Sequence, residues 1–336
     1  MKKILCFGEL LLRFSPQVQG EWIQHATMPV YVGGAELNAA HALALWHLPV
    51  CYCTAVPDHY LSKEILAWLE AKNIDTSRVQ FSGSRIGTYY LPQGADLKNA
   101  GVIYDRSNAS TALLQLGDIN WEKTLEGVSW LHFSAITPAL SASVALVCEE
   151  ALKEAAARGI FISVDLNYRA KLWQYGKDPM EVMPGLVQYC NLVMGNIWAA
   201  ERMLGISLPA PLQRTKEVLI NQAEKTSKSI LETYSACRQV ANTFRFDHET
   251  GVNYYATLFD GKELYVSQEQ HVKTITDRVG SGDCFMAGLI YGNVNRYEPQ
   301  QIIDFATTAA CKKFGVKGDA TTVTVNEIKN SMPRYA

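Results

Sequence analysis

Apolar residues recur along this chain in two alternating rhythms. Ile4 to Phe7 is a short unbroken apolar run, the pattern of a strand covered on both faces. From Ala35 to Trp46 the apolar positions Leu37, Ala40, His41, Leu43 and Ala44 fall at helical spacing, and Val50 to Ala55 returns to a strand. The same exchange predicts a helix over Leu61–Ala71, a strand over Trp130–Phe133, a helix over Ser141–Ala157 and a strand over Ile160–Asp165. A strand at Leu192–Met194, a helix at Ile197–Leu204 and a buried helix from Cys284 to Gly292 complete it. Such alternation implies an α/β fold with a mostly parallel sheet, helices on both faces, and ligands at the strand C-terminal ends.

Some segments break the rhythm. Residues 12–31 and 86–106 are rich in β-formers, Gly and Pro without helical spacing, and predict a small β lid inserted in a single 1–336 domain. Gln239–Phe246, Val252–Phe259 and Glu263–Val266 read as successive strands, with Asp260-Gly261 as a hairpin turn between the last two. Asn221–Tyr234 is polar and reads as an exposed helix.

Composition narrows the function classes. A net charge of −2 without long runs of one sign gives no footprint for nucleic acid or an anionic membrane. The apolar start is interrupted by Glu9 and Arg13, which suits a first strand better than a leader, and the expected location is cytoplasmic. The eight cysteines are scattered and form no C-x-x-C pair, so they read as reduced core thiols. The seven histidines show no metal-ligand spacing, and His132 reads as a hydrogen-bonded core residue.

The chemistry concentrates near the C-terminal end, in Asp277-Arg278-Val279-Gly280-Ser281-Gly282-Asp283-Cys284-Phe285. Glycines before a helix let a ligand approach backbone, and a helix start offers unpaired amides to an anion. Asp283, in the first turn, is placed to take a proton, and Asp277 adds weight to a phosphate site. A bare Gly-x-Gly before a helix can equally be a tight turn. The G-x-x-x-x-G-K-[ST] loop and the dinucleotide G-x-G-x-x-G fingerprint are both missing. A second constellation, Gly33-Gly34-Ala35-Glu36-Leu37-Asn38, joins a glycine pair to an amide side chain one helical turn later.

Together and in this order, the two glycine motifs resemble the ribokinase-like sugar kinases of the PfkB family. The resemblance implies a ribokinase-like three-layer sandwich, ATP with Mg²⁺ as the phosphoryl source, Asp283 as the base, and the Gly280, Ser281 and Gly282 amides as anion hole. The stretches Gly8–Pro16, Gly87–Tyr89, Ile103–Arg106 and Asp165–Trp173 are further similar to 2-keto-3-deoxygluconate kinases. On that likeness Gly33, Gly34, Asn38, Tyr89, Tyr104, Arg106 and Arg169 bind the sugar acid, the arginines gripping its carboxylate. The alternatives are a salt bridge from Arg169 to Asp165, a solvated charge at Arg106, and lid packing for the tyrosines. The resemblance also implies a homodimer formed through the lid.

The sequence departs from the family pattern around the nucleotide. Arg278 stands where threonine is usual, Ala199 follows Asn196 where glutamate is usual, and Ala241–Phe246 lacks the family's glycines. Glu201 would point about 200° away from position 199 on a helix. Asn196, Arg245 and Arg278 are therefore the candidate nucleotide contacts, and the metal ligands stay open. A kinase for a neutral sugar or a nucleoside, or a sugar-binding regulator without catalysis, also remains open.

Overall fold

The structure is a computed structural model that describes residues 2–17, 21–93 and 101–333. A ten-stranded sheet forms its centre. In spatial order it runs Leu264–Val266, Gly251–Phe259, Gln239–His248, Leu192–Gly195, Phe161–Asp165, Val128–Ser134, Lys3–Phe7, Val50–Cys53 and Ile74–Asp75, with Gln270–Val272 also pairing on Gly251–Phe259. From Gln239–His248 to Ile74–Asp75 every pairing is parallel, and the opposite edge is antiparallel.

Period two sorts the first strand between two cores. Ile4 and Cys6 face one hydrophobic cluster and Leu5 and Phe7 the other. Helices Ala35–Leu45, Ser281–Val294 and Pro299–Lys313 pack the first face, and Ala142–Ala157 and Pro179–Val187 pack the second. Ser281–Val294 and Pro299–Lys313 meet so closely that a Cβ on Gly288 would lie 2.5 Å from Ala306 Cα. All eight cysteines are free and buried, as their apolar contexts predict.

A separate four-stranded sheet joins Val30–Gly33, Leu11–Phe14, Gly87–Tyr90 and Ile103–Asp105 in that order. Its register creates two different faces. Tyr31, Arg13, Tyr89 and Tyr104 form one cross-strand row, and Val30, Phe14, Tyr90 and Ile103 form the next. The first row looks inward; in the second, Val30, Tyr90 and Ile103 are exposed.

Three readings need correction. The 12–31 segment, expected to be strand-built, contains a short helix at Glu21–His25, with the acidic Glu21 in its first turn as the helix dipole favours. Residues 18–20 and 94–100 of the lid segments lie outside the described residues. The polar helix runs over Lys216–Thr233 and is not exposed all round, because Leu219, Ala223, Thr226 and Ile230 bury one stripe. Pro179–Val187 and Pro299–Lys313 have no counterpart in the pattern reading, although both begin with proline behind a capping box.

Candidate active site

The turn before Ser281–Val294 is built by Gly280. Its φ of 80° is left-handed, and a Cβ there would lie 1.9 Å from the Asp319 carbonyl oxygen. The first bond of the helix ladder runs from Cys284 N–H to the Gly280 carbonyl at 2.9 Å. The amides of Ser281, Gly282 and Asp283 precede that bond and have no place in the ladder. A Cβ on Gly282 would meet nothing within 4 Å, so this glycine leaves open space at the helix start. On the other side Gly34, at φ 142°, brings its backbone against Glu9.

Asp283 sits between these glycines and is 9 % exposed. Its Oδ2 accepts a 2.7 Å hydrogen bond from Asn38 Nδ2. Burial pushes the carboxyl up to about 8, helped by Asp165 and Glu36 and opposed by the Asn38 bond and Arg169. Asn38 Oδ1 is buried without a hydrogen-bond partner among the described residues. Glu36 is held by Ser134 N–H, Ser134 Oγ and Thr137 Oγ1 at 2.8, 2.7 and 2.7 Å.

A cavity of about 690 Å³ opens over Asp283. Gly34, Asn38, Tyr89, Tyr104, Arg106 and Arg169 line it, together with Gly280, Ser281, Gly282 and Asp283. Asn196, Arg245 and Arg278 line it too. Gly33 is the exception. It packs on Asp319, whose Oδ2 would be 2.4 Å from a Cβ, so backbone clearance and not ligand contact explains the residue.

At the lid end, Arg106 is buried and pairs with Glu9, its Nε donating to Oε2 at 2.5 Å. This rules out a solvated charge. Tyr89 Oη donates to Asp319 Oδ2 at 3.2 Å. Arg169 is half-buried, and its guanidinium donates to the Tyr168 carbonyl at 3.1 Å. At the other end, Arg245 and Arg278 both approach Asp247 at 3.3 Å. Asn196 Oδ1 caps its helix by accepting from Ala199 N–H at 2.9 Å. Glu201 also reaches the cavity wall despite its angular offset from position 199, and its Oε1 accepts from Leu208 N–H at 3.3 Å.

Asp277 serves another purpose than anion binding. Its carboxylate accepts from Arg13 at 2.6 Å, from Val279 N–H at 3.0 Å and from Gly318 N–H at 3.2 Å. Arg13 also donates to Asp319 at 2.7 Å, with its guanidinium 4.4 Å from the Tyr31 ring centre. Sequence reasoning missed this Arg13–Asp277–Asp319 clamp, and Lys313 beneath it. Each left a signal: a charge inside an apolar strand at Arg13, and one on the buried stripe Ala306, Ala309, Ala310, Lys313. His132 is a core residue, bonded to Ser163 Oγ at 3.1 Å and pushed down to about 4 by burial.

Among the described residues no three His, Cys, Asp or Glu side chains group as a metal cage. No helix of the described residues is long and apolar enough to cross a membrane.

The profile of the pfkB family carbohydrate kinases matches residues 1–325. The 2-dehydro-3-deoxygalactonokinase of Haloferax volcanii is 25% identical over 328 residues, 97% of this chain and 95% of its own. The 2-dehydro-3-deoxygluconokinase of Bacillus subtilis is 24% identical over 287 residues, 85% of this chain and 81% of its own. The crystal structure of Thermotoga maritima 2-dehydro-3-deoxygluconokinase superposes with a TM-score of 0.88 at 32% identity, covering 98% of this chain and 99% of that one. The chain thus belongs to the pfkB family of carbohydrate kinases, with the ribokinase-like α/β fold, and is a sugar kinase.

Proposed function

We propose that this kinase transfers the γ-phosphoryl group of ATP to the terminal hydroxyl of a 2-keto-3-deoxy sugar acid, with 2-dehydro-3-deoxy-D-gluconate giving its 6-phosphate as the first choice. The observation that carries the reading is the Asp283 carboxyl. It lies in the same cavity as the unladdered Ser281–Asp283 amides and two arginines suited to a carboxylate. The related 2-dehydro-3-deoxygluconokinases and 2-dehydro-3-deoxygalactonokinase support a sugar acid over a neutral sugar.

In this reading Asp283, once ionised, accepts the hydroxyl proton as the oxygen attacks in line, and Asn38 Nδ2 holds its carboxylate. Asn38 Oδ1, buried without a partner, accepts from a second sugar hydroxyl. Amides from Gly280 to Asp283 stabilise charge on the transferred group without reorganising. Arg106 and Arg169 hold the sugar carboxylate with Tyr89 and Tyr104 beside them. Glu9 fixes the Arg106 guanidinium, which carries more donors than one carboxylate uses. Asn196, Arg245 and Arg278 take the nucleotide end. Mg²⁺, bound with the nucleotide, would neutralise phosphate charge.

The four-stranded sheet is read as the lid of one kinase domain. Its exposed row Val30, Tyr90 and Ile103 fits a second copy of the chain, forming a homodimer. The deciding experiment measures ATP consumption with a panel of 2-keto-3-deoxy sugar acids, fructose and nucleosides. Turnover with the acids and little with neutral acceptors is expected. Preferred turnover of fructose or a nucleoside would overturn the substrate class, and no turnover with any acceptor would leave a binding protein.

A further inference from the structure

Lys313 closes the Pro299–Lys313 helix, yet it points into the protein and is fully buried. Its Nζ donates to the carbonyls of Val279, Val316 and Gly318 at 2.8, 3.2 and 2.8 Å. Three acceptors match the three donors of an ammonium; a neutral amine has only two. Burial pulls this group below its ordinary value, while Asp277, Cys284 and Asp319 draw it up and Arg13 opposes them. A buried cation ringed by carbonyls is costly unless it is fully coordinated, as this one is.

Its position makes it more than a loop tie. Val279 immediately precedes Gly280, and a Cβ on Gly280 would lie 3.3 Å from Lys313 Cε. Lys313 stands behind this turn and outside the cavity lining, whereas Val279 and Gly280 line the cavity. A trans peptide sets its N–H opposite its C=O. The ammonium's hold on the Val279 carbonyl therefore turns the Gly280 N–H away from Lys313, toward the cavity. It also fixes a positive charge behind the amides where negative charge develops during transfer.

Resting on the kinase reading above, we propose that Lys313 is a positioning residue: a built-in monovalent cation that orders the anion hole, so the enzyme needs no added alkali ion there. Removing the side chain should leave a carbonyl ring that a potassium or ammonium ion can fill.

The test compares wild type, Lys313→Ala and Lys313→Met in potassium chloride and in tetramethylammonium chloride of equal ionic strength. Turnover, sugar-acid KM and melting temperature are read for each. Wild type should be indifferent to the salt. Lys313→Ala should lose about 100-fold in kcat with little change in KM, the loss of one transition-state donor. Potassium or ammonium, but not tetramethylammonium, should restore its turnover and raise its melting temperature. Lys313→Met fills the space and should gain nothing from potassium. Potassium activation of the wild type would overturn the proposal, as would full activity of Lys313→Ala without added cation. So would a Lys313→Ala protein that neither gains turnover nor melts higher in potassium, or one that fails to fold even there. An inactive wild type would instead refute the kinase reading, and the melting temperatures would still judge Lys313.

Discussion

Asp277 and Asp283 flank one glycine turn, and the same side chain meets opposite surroundings at its two ends. Asp277 accepts from a guanidinium and two backbone amides. Asp283 accepts from one neutral amide, with Asp165 and Glu36 as acidic neighbours. Donor count separates the two. Three donors, one of them a guanidinium, make the Asp277 carboxylate a tie between Leu11–Phe14, the turn and the Gly318 loop. One neutral donor in a buried site leaves a carboxyl that can hold or release a proton near neutral pH. A turn clamped by charge thus stands beside a carboxyl able to exchange a proton, which the proposed function makes its base.

Exchanging charge for amide on each side breaks the comparison most directly. Asp283→Asn should keep the fold and sugar binding yet lose ~10²–10⁴ in turnover. Asp277→Asn should act first on the melting temperature. A comparable loss of turnover at unchanged stability for Asp277→Asn would dissolve the distinction. Next in size is Arg13→Ala, which strands two acidic partners in a place where Arg13 and Asp319 are 2% and 1% exposed at their side chains. Denaturant unfolding should show a loss of ~3–5 kcal/mol. A change within experimental error would mean the clamp is not what holds the turn.

The pH dependence sharpens the contrast through its sign. Native Asp283 keeps its proton up to about 8, whereas the ordinary value is 3.8. Between those values the native state binds more protons than the unfolded state, so this group lowers stability as pH rises and has no further effect above about 8. Activity runs the other way, because a base must be ionised. Below pH 8, kcat/KM should rise about tenfold per pH unit. Asp283→Asn should remove that limb and melt higher than the wild type at alkaline pH, where the wild type must hold a buried charge. A flat kcat/KM profile from pH 6 to pH 8 would remove Asp283 from the titrating role.

Much of this was legible in the residues, and the gaps have physical reasons. Strands such as Ile160–Asp165 and helices such as Ile197–Leu204 are written in local periodicity, which is why their ends fall within a residue or so of the observed Phe161–Asp165 and Ile197–Leu204. The Asp283 segment was legible because a glycine pair before an apolar helix is itself local. The Arg13 clamp was not, since Arg13 and Asp319 lie 306 positions apart and no spacing rule connects them. Asp277 was misread for the same reason: its nearness to the glycines was visible, its partner was not. Glu21–His25 escaped because five residues carry too little period to register.

Arg169 offers the smallest and most selective test. It resembles Asp283 more than Asp277 in being sparingly used: its guanidinium donates to the carbonyl of its own chain neighbour Tyr168, and it is half-buried at the cavity wall. Arg106 keeps donors for the same sugar carboxylate, but its loss would also strand Glu9, so Arg169 is the cleaner test. If under-coordination marks groups kept for ligand, Arg169→Ala should spare the fold and act on the acid. A charged hydrogen bond is worth roughly 1.5–3 kcal/mol, so KM for the sugar acid should rise about tenfold or more while a neutral sugar is little affected. Lys at the same position should recover only part of the loss, because one point charge replaces a two-bond grip. Equal losses for acidic and neutral sugars would place Arg169 with Asp277 among the structural charges. The number of partners a buried charge already has would then no longer distinguish the two kinds of residue.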